Sequence, residues 1–317
     1  MADADRSRPY FLRVLEELCP AHGATLQVDP EFGYCGHIVF ADGRRSPFLS
    51  TSFDVNGQGA AAIARDKHYC RGVLAGAGLP VPDEVLVFSE GYRTEFAHRN
   101  PALHARLAGP EAAHAFAAAH GFPLIVKPNA SAMGRGVFKV ADRAGLDAAL
   151  ADLSARHTHL LVQRFIAGRD YRVLVFDGRA MIAYERAPLA VTGDGNRTIR
   201  TLLAELLAAR EAAGRGNPIT NDDPRIAGRL AEQGWTPDSI PPAGDRVALL
   251  PTANLSSGGE PVDVTGCLAE PVRNACISAA RAIGLTAAGV DVIADDATQA
   301  DTSFVILEVN GAPGLAN

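Results

Sequence analysis

Two stretches near the end of the chain, Gly289-Val-Asp-Val-Ile293 and Phe304-Val-Ile-Leu-Glu-Val-Asn310, decide the fold. Gly311-Ala-Pro-Gly-Leu315 follows directly. Both stretches are rich in β-branched residues and nearly alternate, and the polar segment 294–303 between them can turn, so they predict two adjacent strands. Side chains two apart on a strand share a face, which sets Glu308 and Asn310 together and turns Leu307 and Val309 away. Asp291 interrupts the apolar run of the other strand. Two carboxylates and an amide on one surface are hard oxygen ligands of the kind Mg²⁺ takes when water and phosphate fill its other positions. The plainer alternative is that each acid caps a strand end or is solvated.

The bulk properties narrow the field. A chain of 317 residues can bury a sizeable core and divide into two or three subdomains. Hydrophobic content of 47% and charged content of 21% are ordinary for a globular protein. A net charge of −6 argues against a general nucleic-acid or membrane-surface binder. No apolar run approaches the length of a membrane span, and the polar, acidic start is unlike a signal peptide. Five cysteines without a CxxC pair suit reduced thiols and a cytoplasmic location. The nine histidines show no zinc spacing.

Working outward, helical stripes cover 10–18, 66–74, 110–120, 144–153, 198–212 and 271–283. Strands are expected at 24–28, 37–40, 84–88, 124–127, 136–140, 159–164 and 246–250, with a hairpin from 170–177 and 180–185 around Asp177-Gly178. Residues 98–108 read as loop. Residues 214–244, rich in Gly, Pro and Asp, read as an irregular insertion with a weak helix at 226–233.

Lys67 opens a helix, where a solvated surface lysine is the common case. Lys127 ends a strand and is followed by Asn129-Ala-Ser-Ala-Met-Gly-Arg-Gly-Val137, a loop of small residues. Gly134 and Gly136 would let backbone N–H groups approach phosphate oxygens, although a hairpin uses the same residues. The lysine precedes the glycines, so this is not a Walker A loop, and the helix and acid of a dinucleotide fingerprint are missing.

The ordered set Arg65-Asp-Lys67, Ala77-Gly-Leu-Pro-Val-Pro82, Ile125-Val-Lys-Pro128, Gly134-Arg-Gly-Val137 and Gly168-Arg-Asp-Tyr-Arg-Val-Leu-Val175 resembles the ATP-grasp superfamily of carboxylate–amine ligases. The resemblance continues through Glu185-Arg-Ala-Pro188, Val191-Thr-Gly-Asp-Gly195, Ala253-Asn-Leu-Ser-Ser-Gly-Gly259, Ala288-Gly-Val-Asp291, Leu307-Glu-Val-Asn310 and Ala312-Pro-Gly-Leu315. It covers roughly residues 60–317 and is sharpest to the ATP-grasp part of the cyanophycin synthetases.

The resemblance implies an α/β (α+β) ATP-grasp fold: an N-terminal α/β domain (1–85), a lid (86–168) and a central domain (169–317), with ATP between two antiparallel sheets. It implies that Lys67 and Lys127 neutralise the α- and β-phosphates. The loop bearing Ser131, Met133, Gly134, Gly136 and Val137 would close over the β- and γ-phosphates. Gln163, Arg164, Phe165 and Ile166 would form the adenine hinge, and Asp170 would accept from the ribose. Asp291, Glu308 and Asn310 would hold one or two Mg²⁺, with Mn²⁺ able to substitute.

The implied chemistry is phosphorylation of a carboxylate, then displacement of phosphate by an amine. Arg186 and Arg172 are the candidates to stabilise the transferred phosphoryl and the oxyanion, against the alternative of salt bridges at a sheet face. Asn254, Ser256, Ser257 and Gly258 are candidate contacts to the carboxylate substrate, against the alternative of a tight polar turn. The expected partners are an amino-acid or peptide carboxylate and an amine, with no nucleic acid and no membrane, and a homodimer is the family-based assembly. Carboxylate–thiol ligation, kinase chemistry and nucleotide binding without turnover stay open.

Four departures limit the carry-over. Met133 stands where the relatives have a histidine, and Cys267-Leu-Ala-Glu-Pro271 replaces a histidine-bearing segment. About 60 unfamiliar residues replace a long N-terminal domain. The further ligase domain of the cyanophycin synthetases has no counterpart before the chain stops, so a second ATP-dependent ligation is not expected.

Overall fold

The computed structural model describes residues 9–131, 135–212, 219–250 and 258–314. An N-terminal sheet of order β1-β2-β3-β4 is formed by β1 (Thr25–Val28), β2 (Cys35–Val39), β3 (Arg45–Leu49) and β4 (Ser52–Phe53). The helix Tyr10–Ala21 packs on it through Phe11 and Leu12, which meet Phe48 in a small core. β3 and β4 were not expected. Pro47 cannot donate to a ladder and Arg45 and Ser46 break the apolar pattern, so the run does not read as a strand.

The second sheet has the order β5-β8-β6-β7, from β5 (Glu84–Phe88), β6 (Leu124–Pro128), β7 (Phe138–Val140) and β8 (His159–Arg164), all neighbours antiparallel. Leu124, Val126, Leu160 and Val162 face a core made with the helices Pro110–His120 and Arg143–Ser154. The alternate residues, Ile125, Lys127, Leu161 and Gln163, therefore face the other way, toward the site. The helix Glu90–Arg99 buries no residue, which explains why no apolar stripe announced it.

The third sheet runs β13-β10-β9-β14-β15 and is also antiparallel, from β9 (Arg169–Phe176), β10 (Arg179–Ala187), β13 (Glu260–Asp263), β14 (Ala287–Ala294) and β15 (Phe304–Asn310). Tyr171, Val173, Val290, Val292 and Val309 bury one face against the helix Glu270–Ile283 and against Cys70 and Leu74 of the helix Lys67–Gly76. By packing, residues 58–76 thus belong with this sheet, although chain order sets them before residue 85. Arg172, Asp291 and Glu308 lie side by side on the opposite face.

The ladder between β14 and β15 slips by one residue. Asp291 pairs with Glu308, but Val292 pairs with Ile306, leaving Leu307 outside the pairing. Simple alternation expects Leu307 and Val309 to share the apolar face. In the structure the bulge gives that face to Ile306 and Val309, and it sets Glu308 directly across from Asp291.

Within 189–250 the helix expected at 198–212 is found as Ile199–Ala212, and the strand expected at 246–250 as β12 (Arg246–Ala248), which pairs with an unexpected β11 (Ala190–Thr192). The stretch 214–244, expected to be irregular with a weak helix at 226–233, carries the helix Pro224–Glu232. Leu189, Leu203, Ile226, Leu230 and Leu249 give these elements a core of their own. The apolar residues of 214–244 are spread over turns rich in Gly, Pro and Asp, so no single window there carries a strong signal.

Candidate functional site

The site lies between the face of the second sheet that carries Lys127 and the face of the third that carries Arg172, Asp291 and Glu308. Asp66 caps the helix Lys67–Gly76, accepting from the Tyr69 N–H at 3.0 Å, so Lys67 stands on its first turn. Its ammonium donates to the Ser131 carbonyl at 2.6 Å and lies 3.4 Å from Glu308 Oε2. Lys67 therefore bridges the loop after β6 and the end of β15. Asn129, buried, ties the helix start to the second sheet: its side chain accepts from the His68 N–H at 2.9 Å.

Lys127 is 7% exposed and donates to Gln163 Oε1 at 2.9 Å. Burial pulls its pKa below the ordinary lysine value, while Glu308 and Glu84 act against that pull. An ammonium has three donors, and a buried one with an amide partner is suited to receive an anion.

Across the cleft, Arg172 holds Asp291 with Nε on Oδ1 and Nη2 on Oδ2, the second at 2.9 Å. Arg186 reaches Asp170 Oδ1 at 2.7 Å and Asp291 Oδ1 at 3.0 Å. Asp291 is 4% exposed; burial alone would raise its pKa, but Arg172 and Arg186 hold it below the usual carboxylate range. Asp170 goes the other way: burial lifts it to about 6, with the neighbouring Asp291 adding to the rise and Arg186 opposing it. The cluster's first proton therefore goes to Asp170.

Asn310 Nδ2 donates to Glu308 Oε1 at 3.1 Å and lies 3.5 Å from Asp291 Oδ2. The three expected metal ligands thus converge. Glu308 is partly exposed, and with the Asn310 carbonyl it fits a divalent cation. Both oxygens of Asp291 are engaged by guanidinium groups, so here it serves as counter-ion to the arginines. Among the described residues no group of three His, Cys, Asp or Glu side chains is arranged to hold a metal.

The remaining expected residues are distributed as follows. Gly136 adopts φ 71°, a left-handed conformation, and a Cβ there would press on Leu153 and Pro128 at 3.1 and 3.2 Å. Val137 is exposed. Gln163 turns its side chain to Lys127 and Glu84, whereas Arg164 is exposed and pairs with Asp83 at 3.4 Å. Phe165 lies under the Lys139 ammonium, 3.7 Å from the ring centre, and Ile166 is half-buried beside it. Asp170 is engaged by Arg186, on the same face as Asp291. Gly258 is buried against Leu250 and Ile219, and its carbonyl accepts from Arg210 at 3.2 Å. Met133, Gly134, Asn254, Ser256 and Ser257 lie outside the described residues.

Sequence reading passed over Glu84, His68, Asn129 and Tyr184. Tyr184 stands opposite Arg172 on the site face, and burial raises its phenol pKa. Glu84 had one signal, an acid opening an otherwise apolar strand just after Pro82-Asp83.

Residues 74–193 match the family described as D-ala D-ala ligase C-terminus. The chain is 32% identical over 264 residues to cyanophycin synthetase of Geminocystis herdmanii, covering 80% of this chain and 28% of the relative. It is 32% identical over 270 residues to the glutathione biosynthesis bifunctional protein of Streptococcus thermophilus, covering 79% of this chain and 32% of the relative. Among solved structures, a bifunctional glutathione synthetase from Pasteurella multocida shares the fold with a TM-score of 0.68 at 22% identity, over 98% of this chain and 41% of that one. The fold is the ATP-grasp fold, with its two antiparallel sheets. The chain is thus similar to the D-ala D-ala ligase C-terminus over 74–193 and to the cyanophycin synthetases over less than a third of their length.

Proposed function

We propose that this chain is an ATP-dependent carboxylate–amine ligase that joins an amino acid or small peptide to an amine through an acyl phosphate. The observation that carries this reading is the meeting of Lys67 and Lys127 with Glu308 and Asn310 across one cleft, with Lys67 Nζ 3.4 Å from Glu308. The residues 86–168 and 169–317 act as lid and central domain around it, with 1–85 as the N-terminal domain. Lys67 and Lys127 receive the α- and β-phosphates, and the backbone after β8 carries the adenine.

The substrate carboxylate attacks the γ-phosphorus, the bond to the β-phosphate oxygen breaks, and ADP leaves. The amine nitrogen then attacks the acyl carbon, phosphate departs, and the nitrogen loses a proton. Such a transfer needs positioning and charge neutralisation more than covalent help from the protein. Glu308 and Asn310, with Asp291 if the arginines release it, hold a divalent cation, Mg²⁺ or Mn²⁺, which supplies further neutralisation when bound. Arg172 and Arg186 stabilise the transferred phosphoryl and the oxyanion as their hold on the aspartates loosens. Selectivity resides in the N-terminal residues and the segment 254–259, and the enzyme works on small molecules in the cytoplasm as a homodimer.

The test is a pairwise screen of amino acids and dipeptides with Mg²⁺ and ATP, following ADP release and weighing the product. A condensation product formed only with both substrates supports the reading. A phosphorylated product without condensation replaces it with a kinase, and ATP that binds but is never hydrolysed replaces it with a nucleotide-binding role.

A further inference from the structure

Behind the two lysines runs a line of buried and half-buried polar contacts that the ligase reading leaves unused. Lys127 donates to Gln163 Oε1 at 2.9 Å, and Gln163 Nε2 donates to Glu84 Oε2 at 3.5 Å. Glu84 Oε1 in turn lies 3.1 Å from His68 Nδ1. The Glu84 side chain is only 2% exposed. A carboxylate so deep in a fold is rare and costly unless it has partners.

The strand register explains the geometry. Glu84 stands directly across from Gln163, and Lys127 is the diagonal neighbour of Gln163 on the same face. A glutamine amide has a donor end and an acceptor end. A carboxylate can only accept, so Glu84 draws the NH₂ end toward itself and leaves the carbonyl for Lys127.

We propose that Glu84 is a positioning residue for Lys127: it fixes the orientation of the Gln163 amide and supplies the buried negative charge that holds the ammonium toward the cleft. This rests on the reading above that Lys127 meets a nucleotide phosphate. The groups whose charge acts on Lys127 are Glu308, Glu84, Lys67 and Asp291. Glu308 and Asp291 lie on the facing sheet and answer to whatever fills the cleft. Lys67, on the neighbouring helix, repels. Glu84 is the acid on Lys127's own sheet, so its effect persists whether the cleft is empty or full.

Glu84→Gln keeps the shape and removes the charge. Two measurements read it: titration of Lys127 in the nucleotide-free chain, by NMR of lysines labelled at the ε-carbon and assigned with Lys127→Arg, and the Kd of a Mg²⁺–ATP analogue from about pH 7 to 10. Lys127 should titrate roughly one pH unit lower in the variant, and the alkaline loss of analogue affinity should move down with it. Identical titrations in the two proteins overturn the inference. If the titration moves but the wild-type chain binds no analogue, the positioning role stands and the ligase reading falls. Should Glu84→Gln fail to fold, Gln163→Met cuts the relay and leaves both charges: analogue affinity should fall about tenfold, and an unchanged Kd overturns the inference.

Discussion

The two sheets that frame the cleft hold their cations in opposite ways. On the second sheet Lys127 is buried with an amide as its hydrogen-bond partner, and its charge is answered only at a distance. On the third sheet Arg172 and Arg186 are matched one for one by Asp170 and Asp291, with hydrogen bonds at 2.7 to 3.0 Å among them. The lysine side has donors to spare for an incoming anion. The arginine side is a closed ion-pair network that structures the sheet until something negative competes with the aspartates. The same sign of charge thus does two jobs, and the partner decides which.

Breaking the arginine side should cost the most. Asp291→Ala strands two buried guanidinium groups with one shared carboxylate between them, and a broken buried pair of this kind costs about 3–5 kcal/mol. Its urea midpoint should fall accordingly, with activity lost alongside; a midpoint within error of wild type would mean that the network is ornamental. Lys127→Met sharpens the contrast from the other side. Removing a buried cation that has no direct carboxylate partner among the described residues should leave the midpoint level or higher, while Mg²⁺–ATP affinity drops roughly tenfold to a hundredfold by calorimetry. Destabilisation with intact affinity would reverse the assignment of the two sides.

The sequence disclosed these two sides unequally. Lys127 and Glu308 were legible because each interrupts a strand pattern at a place where the chain has no packing reason for a charge. The β14–β15 pair was legible from alternation, but the bulge at Leu307 was not, since a one-residue slip leaves no mark on composition. The pairing of Arg172 with Asp291 joins residues 119 apart, through strand neighbours that only the assembled sheet defines. Glu84 was hidden for a related reason: the acidic pair Asp83-Glu84 at a strand start looks like a solvated cap until Gln163 is set opposite Glu84. The order within 214–244 was only faintly legible, because that stretch gives the core just a few scattered residues, among them Ile219, Ile226 and Leu230.

A smaller effect separates the two aspartates within the network. Asp170 titrates near 6 in the fold, above the ordinary carboxylate value of roughly 3.9. The folded state therefore holds that proton more tightly than the unfolded chain, and stability contributed by Asp170 falls as pH climbs from about 4 to about 6. Asp291, held low, contributes the opposite slope, at more acidic pH. Asp170→Asn should flatten the decline between those two pH values in urea denaturation and leave the more acidic limb in place. A variant that keeps the full decline would transfer the proton to another group.

The smallest effect concerns the metal. With Asp291 committed to the arginines, the cleft without nucleotide offers a cation little more than Glu308 and the Asn310 carbonyl, with Lys67 repelling it from 3.4 Å beyond Glu308. Mg²⁺ prefers several hard oxygens at once and gives up its own water reluctantly, so one carboxylate and one amide make a weak site. On the proposed reading, nucleotide phosphates would change that balance by drawing Lys67 away and adding oxygens. Calorimetric titration of Mg²⁺ into the nucleotide-free chain should therefore give at most weak heats, and the same titration with an ATP analogue present should give tight binding. Tight binding to the free chain would mean that Asp291 exchanges the guanidinium groups for a metal unaided, and the division of labour between the two sheets would have to be redrawn.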